Sequence, residues 1–179
     1  MLEEPEALEI LHHAYQRGIN TWDTADVYSY GRSEEIVGKT LKKYNIPRER
    51  VVILSKCFFG LEKSSAESAM GIKNDGEFAN RMGLSRKHIL DAVEASVKRL
   101  GTYLDVLWIH RLDRETPEEE IMRALNDGIE WGWCGTPAQA RWLRGNSSGF
   151  KTLRRGTDGT SLWQCKTCTT CCTEKRNAR

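Results

Sequence analysis

Asp23, Tyr28, Lys56 and His110 have the residue types and the chain order for proton-transfer chemistry at a carbonyl group. Hydride addition to a carbonyl leaves a developing alkoxide, which needs an acid within hydrogen-bond reach of its oxygen. A free phenol has a pKa of about 10, and a neighbouring ammonium favours the phenolate and so eases release of the proton. Tyr28 and Lys56 form such a pair. A carboxylate at Asp23 can hold and orient the lysine, and an imidazole at His110 can polarise the carbonyl and fix its pose. Taken singly, each has an ordinary structural reading: Asp23 a turn or cap residue, Tyr28 a buried aromatic, His110 a hydrogen-bonded core histidine. Only the combination points to catalysis.

The elements that must position these residues are legible in the hydrophobic pattern. Residues 6 to 17 read as an amphipathic helix built on Leu8, Ile10, Leu11, Ala14 and Tyr15, with Gly18 as its stop, so the chain is expected to begin inside a helix. Ile19 to Ala25 reads as a strand, Ser33-Glu34-Glu35 as the start of a helix running to about Tyr44, and Val51 to Ser55 as a short buried strand. A long loop, Phe58 to Leu84, is rich in Gly, Ser, Asn and Asp and is expected to shape a substrate entrance. Ser85 caps the next helix, whose apolar face is Ile89, Leu90, Val93, Val97 and Leu100, and Gly101 ends it. Leu104 to Ile109 is a continuous apolar run, as expected of a parallel strand covered on both faces. Thr116-Pro117-Glu118-Glu119 then reads as an N-cap, a proline at the first helical position and a capping-box Glu. The tally is a helix followed by three βα units, with Asp23 and Tyr28, Lys56 and His110 after successive strands. Carboxyl ends of parallel strands are where α/β barrels and open α/β sheets place their chemistry.

After Trp131 the periodicity vanishes, and no fourth strand is predicted. Residues 1 to 132 hold 18 Lys/Arg against 23 Asp/Glu, whereas residues 133 to 179 hold 9 against 2 and contain no Ile, Val, Met or Tyr. A segment without those side chains lacks what fills cores and strands. The expected division is therefore a folded part, 1–132, and an unstructured tail, 133–179.

The motifs resemble those of the aldo-keto reductases. Gly18-Ile19-Asn20-Thr21-Trp22-Asp23-Thr24-Ala25-Asp26-Val27-Tyr28, followed by Gly31-Arg32-Ser33-Glu34-Glu35, is similar to that family's first signature. Ile53-Leu54-Ser55-Lys56 and Leu104-Asp105-Val106-Leu107-Trp108-Ile109-His110-Arg111 resemble the segments that carry its Lys and His. Asn74-Asp75-Gly76, Gly83-Leu84-Ser85-Arg86-Lys87-His88 and His110-Arg111-Leu112-Asp113-Arg114-Glu115-Thr116 resemble a fungal branch of the family, linked to secondary metabolism. The resemblance covers roughly residues 5 to 131. It implies a (β/α)8 TIM barrel, here partial, which in full needs about 250 residues. It also implies reduction of an aldehyde or ketone to an alcohol with NADPH. By resemblance Tyr28 is the proton donor and Lys56 its partner; Asp23 supports Lys56 and the nicotinamide side of the cofactor, and His110 orients the substrate. Since the family draws most of its cofactor contacts from segments absent here, the chain by itself is expected to be inactive.

The tail reads as a translation displaced by one base. With codons that the residues allow, Trp133 to Glu174 can be re-read as a buried strand, an amphipathic helix and another strand, resembling the next βαβ stretch of the same reductases. A single-base slip near the Gly132 codon is the expectation. The spacing Cys165-x-x-Cys168-x-x-Cys171-Cys172 is otherwise that of a zinc or iron–sulfur site, which makes a metal-binding protein one alternative. A non-catalytic binding protein of the same fold is another. The basic tail carries no nucleic-acid-binding motif, and no metal or nucleic-acid partner is expected. No apolar run reaches the roughly 18 residues that span a bilayer, and Met-Leu-Glu-Glu-Pro has no signal-peptide character, so a cytoplasmic protein acting on a small carbonyl compound is expected.

Overall fold

The computed structural model describes residues 3–61 and 74–139. The element order is α1 (Glu4–Gln16), β1 (Thr21–Asp23), α2 (Arg32–Lys43), β2 (Val52–Cys57), α3 (Arg86–Leu100), β3 (Leu104–Ile109), α4 (Glu118–Glu130) and β4 (Cys134–Gln139). All neighbouring strands are parallel, and the sheet order is β1-β2-β3-β4, the same as the chain order. Each helix packs on the next, α1 on α2, α2 on α3 and α3 on α4, so the helices form one layer over one face. Sequential parallel strands with helices in one layer are the wall of a (β/α) barrel, of which four strands are described here.

Alternation along the strands separates two faces. In β2, Ile53, Ser55 and Cys57 are buried toward the helices, while Leu54 and Lys56 on the other face are half-buried. In β3, Leu107 and Ile109 are buried beneath the helices, and Val106 and Trp108 are half-buried on the opposite face. The core therefore lies between sheet and helices and contains Trp22, Val37, Leu41, Ile53, Val93, Leu107, Ile121 and Leu125. At the amino end of the sheet, the Arg48 guanidinium donates to Asp105 Oδ2 at 2.6 Å and to the Val51 carbonyl at 2.8 Å, and Ile53 N–H donates to the same Asp105 oxygen at 2.7 Å.

Three expectations are corrected. A fourth strand exists, pairing Leu104 with Cys134 and Ile109 with Gln139, where the hydrophobic pattern predicts none. Its bonds are made by main chain to the open edge of β3, starting with Leu104 N–H on the Trp133 carbonyl at 2.9 Å, and main-chain pairing leaves no trace in side-chain periodicity. Among the described strands β4 is the edge, a position that tolerates the missing donor of Pro137. Second, β1 covers only Thr21–Asp23, and Ile19, read as part of that strand, is exposed. Third, α4 starts after Pro117 with no side-chain cap, because the Thr116 hydroxyl is spent on Asp113 Oδ2 at 2.8 Å. The Ser85 cap is present, its Oγ accepting from His88 N–H at 3.3 Å, and Gly101 ends α3 in the left-handed region. Residues 62–73 of the long loop and the tail from 140, with Cys165, Cys168, Cys171 and Cys172, lie outside the described residues.

Candidate active site

Lys56 is where the predicted site comes together. Its register, Lys56 against Trp108 in β3, turns it to the face away from the helices and toward the carboxyl end of β1. Nζ donates to Asp23 Oδ2 at 2.8 Å and to the Thr24 carbonyl at 2.8 Å, and reaches Tyr28 Oη at 3.4 Å. The ammonium also stands 4.9 Å from the Tyr28 ring centroid. One lysine thus bridges the carboxylate and the phenol, both of which face solvent: the Asp23 side chain is 58% exposed and Tyr28 is 40% exposed.

His110 completes the group from the third strand. Its N–H donates to the Cys57 carbonyl at 3.1 Å, continuing the β2–β3 ladder, and its ring lies edge-on to Tyr28 with centroids 6.0 Å apart. Phe59 packs against the same ring with centroids 5.1 Å apart and is itself covered by the Arg111 guanidinium. Burial holds the His110 imidazole below its ordinary pKa, the Lys56 and Arg111 charges push the same way, and Asp23 opposes them. A neutral ring at neutral pH can offer or accept a hydrogen bond, and Nδ1 is buried without a partner among the described residues.

The turn that carries Tyr28 is tied down at both ends. Thr24 N–H donates to the Leu54 carbonyl at 2.9 Å and Asp26 N–H to the Lys56 carbonyl at 3.2 Å, while the Thr24 and Ser33 hydroxyls share a hydrogen bond of 2.7 Å. Between them Ser29, Tyr30 and Gly31 have φ of 51°, 55° and 85°. A left-handed conformation costs an L-residue roughly 1–2 kcal/mol, so this run persists only because its surroundings hold it. Glycine is required at 31, since a Cβ there would stand 2.7 Å from Arg99 Cδ.

All four predicted residues meet at one rim of the sheet. Sequence reading missed the Thr24 carbonyl, which accepts a hydrogen bond from the lysine, and Asp113, which joins two loops at the same rim. Asp113 accepts from Leu84 N–H at 2.8 Å, Glu115 N–H at 2.9 Å and the Thr116 hydroxyl. Burial raises the Asp113 pKa, but those donors outweigh it and hold the carboxyl below its usual range. The signal for Asp113 was present as Asp-x-Glu-Thr, a local side-chain-to-backbone turn, but the bond to Leu84 spans 29 residues and is visible only in the fold. Among the described residues no group of three or more His, Cys, Asp or Glu is placed to hold a metal ion, and no helix is long and apolar enough to cross a membrane.

Residues 1–136 match the family model described as the aldo/keto reductase family. Versiconal hemiacetal acetate reductase of Aspergillus parasiticus is 61% identical over 148 residues, covering 79% of this chain and 43% of the relative. An aldo-keto reductase of Alternaria alternata is 46% identical over 140 residues, covering 73% and 38%. Among solved structures, a thermostable aldo-keto reductase bound to the inhibitor epalrestat superposes with a TM-score of 0.62 at 28% identity, covering 79% of this chain and 43% of that one. The chain spans less than half the length of these relatives.

Proposed function

The chain belongs to the aldo/keto reductase family, and from that premise we propose that its rim residues carry the proton-transfer half of an aldehyde or ketone reduction. The observation that supports this most is the Lys56 ammonium placed between Asp23 Oδ2 and Tyr28 Oη. The donor set, a phenol, an ammonium and an imidazole on one open rim, fits the reacting end of a nicotinamide cofactor; NADPH is the form proposed. Such a cofactor, when bound, supplies the hydride.

The chain's own residues do the rest. A substrate carbonyl oxygen received between Tyr28 Oη and the neutral His110 ring is polarised by both donors. As negative charge gathers on that oxygen, the Tyr28 O–H gives up its proton, and the Lys56 ammonium stabilises the charge left on the phenol oxygen. Asp23 keeps Lys56 aimed and stands on the nicotinamide side; Phe59 fixes the plane of the histidine. In this reading the substrate is a small carbonyl compound and the protein acts in the cytoplasm.

The four described strands leave their non-helical face open, with Val52 exposed and Leu54, Val106 and Trp108 half-buried, so turnover is not expected of this chain alone. The test is to assay both this chain and the longer product obtained by restoring the second reading frame beyond Gly132, with NADPH and an aromatic aldehyde. Turnover is expected in the longer product, and Tyr28→Phe should lower it by about 10²- to 10⁴-fold, the contribution of a positioned general acid. Turnover that Tyr28→Phe leaves intact would overturn the assignment.

A further inference from the structure

Beneath the Tyr28 turn, on the helix side of the sheet, lies a second group of charged side chains that the reaction does not use. Asp26 is 3% exposed and Glu34 is fully buried. Glu34 is fully engaged: Oε2 accepts from Arg99 Nε at 2.6 Å and Oε1 from the Ser55 hydroxyl at 2.5 Å, while Arg99 also donates to Ser96 Oγ at 3.1 Å. Asp26 has no charged partner at hydrogen-bond distance among the described residues: the Val27 amide of its own turn bonds the carboxyl, and its Oδ1 is buried with no hydrogen bond. Two buried acids therefore lie within electrostatic reach of one guanidinium, which is bonded to only one of them.

We propose that Asp26 is a positioning residue for Tyr28: seated beside the Glu34–Arg99 pair, its buried carboxyl holds the strained turn from Ala25 to Gly31, and with it the phenol, over the end of β2, and this hold fails when a second negative charge forms there. The inference rests on the role proposed for Tyr28. Asp26 is two residues from Tyr28, its N–H is bonded to the Lys56 carbonyl, and the left-handed run at 29–31 follows directly. The groups that act on it are Glu34 on α2, Arg99 on α3, Lys56 on β2 and the Val27 amide of its own turn, and the buried Cys57 thiol of β2 also faces it. Burial, and then the Glu34 charge, push its pKa up to about 8 against the pull of the Val27 amide, Arg99 and Lys56. A raised acid pKa means that the folded state keeps a proton which the unfolded chain loses near pH 4, so this contribution to stability is complete below that pH. It is lost as pH rises through about 8.

The test is peptide-resolved hydrogen exchange of the intact chain between about pH 6 and pH 9, with Asp26→Asn as the uncharged reference that cancels the intrinsic pH dependence. Amides of residues 24, 26, 28, 30, 32 and 33 all donate hydrogen bonds and report on the turn. Relative to Asp26→Asn, wild-type exchange in this segment should rise roughly tenfold from pH 7 to pH 9, following the ionised fraction of the acid. Peptides of α3 and β3 should not change. Asp26→Ala should exchange fast in the turn at every pH; whether or not that variant folds, the comparison of wild type with Asp26→Asn decides. Identical profiles in those two chains, or a loss of protection spread evenly over β2, β3 and α3, would overturn the proposal. The exchange measurement does not read turnover, so a failure of the turn to respond to pH and a failure of the reductase assay are separate outcomes.

Discussion

At the residue scale, charge placement explains why the site can face water while its support cannot. Lys56 and Asp23 meet at an exposed rim, where an ion pair adds little stability and mainly fixes direction. Glu34 and Arg99 meet under the sheet, where the Glu34 side chain has no exposure and Arg99 only 15%. Removing one member there strands the other as an uncompensated buried charge. Arg99→Leu is therefore expected to destabilise the chain by about 3–5 kcal/mol. Urea denaturation checks this, and a loss below about 1 kcal/mol would place the pair among the weak surface interactions. The two residues are 65 apart in sequence, so nothing local announces the pairing. The Asp23, Tyr28, Lys56 and His110 group, by contrast, was legible because each lies at or beyond the carboxyl end of a strand whose apolar run marks it. Its legibility stopped at identity and order. That one lysine would also take the Thr24 carbonyl, and that the histidine would be walled by Phe59, came from the packing.

At the scale of elements, helix spacing is set by close approach rather than by hydrophobic pattern. Gly38 lies in the middle of α2, a position where glycine weakens a helix, yet a Cβ there would fall 2.3 Å from the Leu100 carbonyl oxygen at the end of α3. The contact is with backbone and cannot swing aside. Gly38→Ala should cost about 1–3 kcal/mol by overpacking, even though it improves helix propensity. A melting temperature at or above that of the wild type would show that α2 and α3 slide apart freely. The α3 boundaries were predictable from Ser85 and Gly101, whose roles depend on local backbone alone. The start of α4 was not, because Asp113 competes for the Thr116 hydroxyl and itself reaches Leu84 across the rim.

At the scale of the whole molecule, the four described strands form one part of the wall of the reductase barrel. The family match stops at residue 136, close to where acidic balance turns basic and aliphatic side chains disappear. The expected one-base slip near Gly132 would account for both the abrupt change and the reductase-like string recovered in the second frame. Sequencing the transcript through the Gly132 codon is expected to reveal one extra or missing base relative to the frame of residues 133–179. A transcript that reads as given would make the tail a true product of the gene.

The sequence by itself determined the strand and helix order, the family, and which four residues stand at strand ends. Those follow from hydrophobic period, capping chemistry and motif spacing, all of which act over a few neighbouring residues. Only the tertiary structure decided that β4 forms on the edge of β3, that Asp113 ties two loops together, and that Asp26 is buried within electrostatic reach of Glu34 and Arg99. Those depend on main-chain pairing and on the loss of water around charges, and neither exists until distant segments of the chain come together.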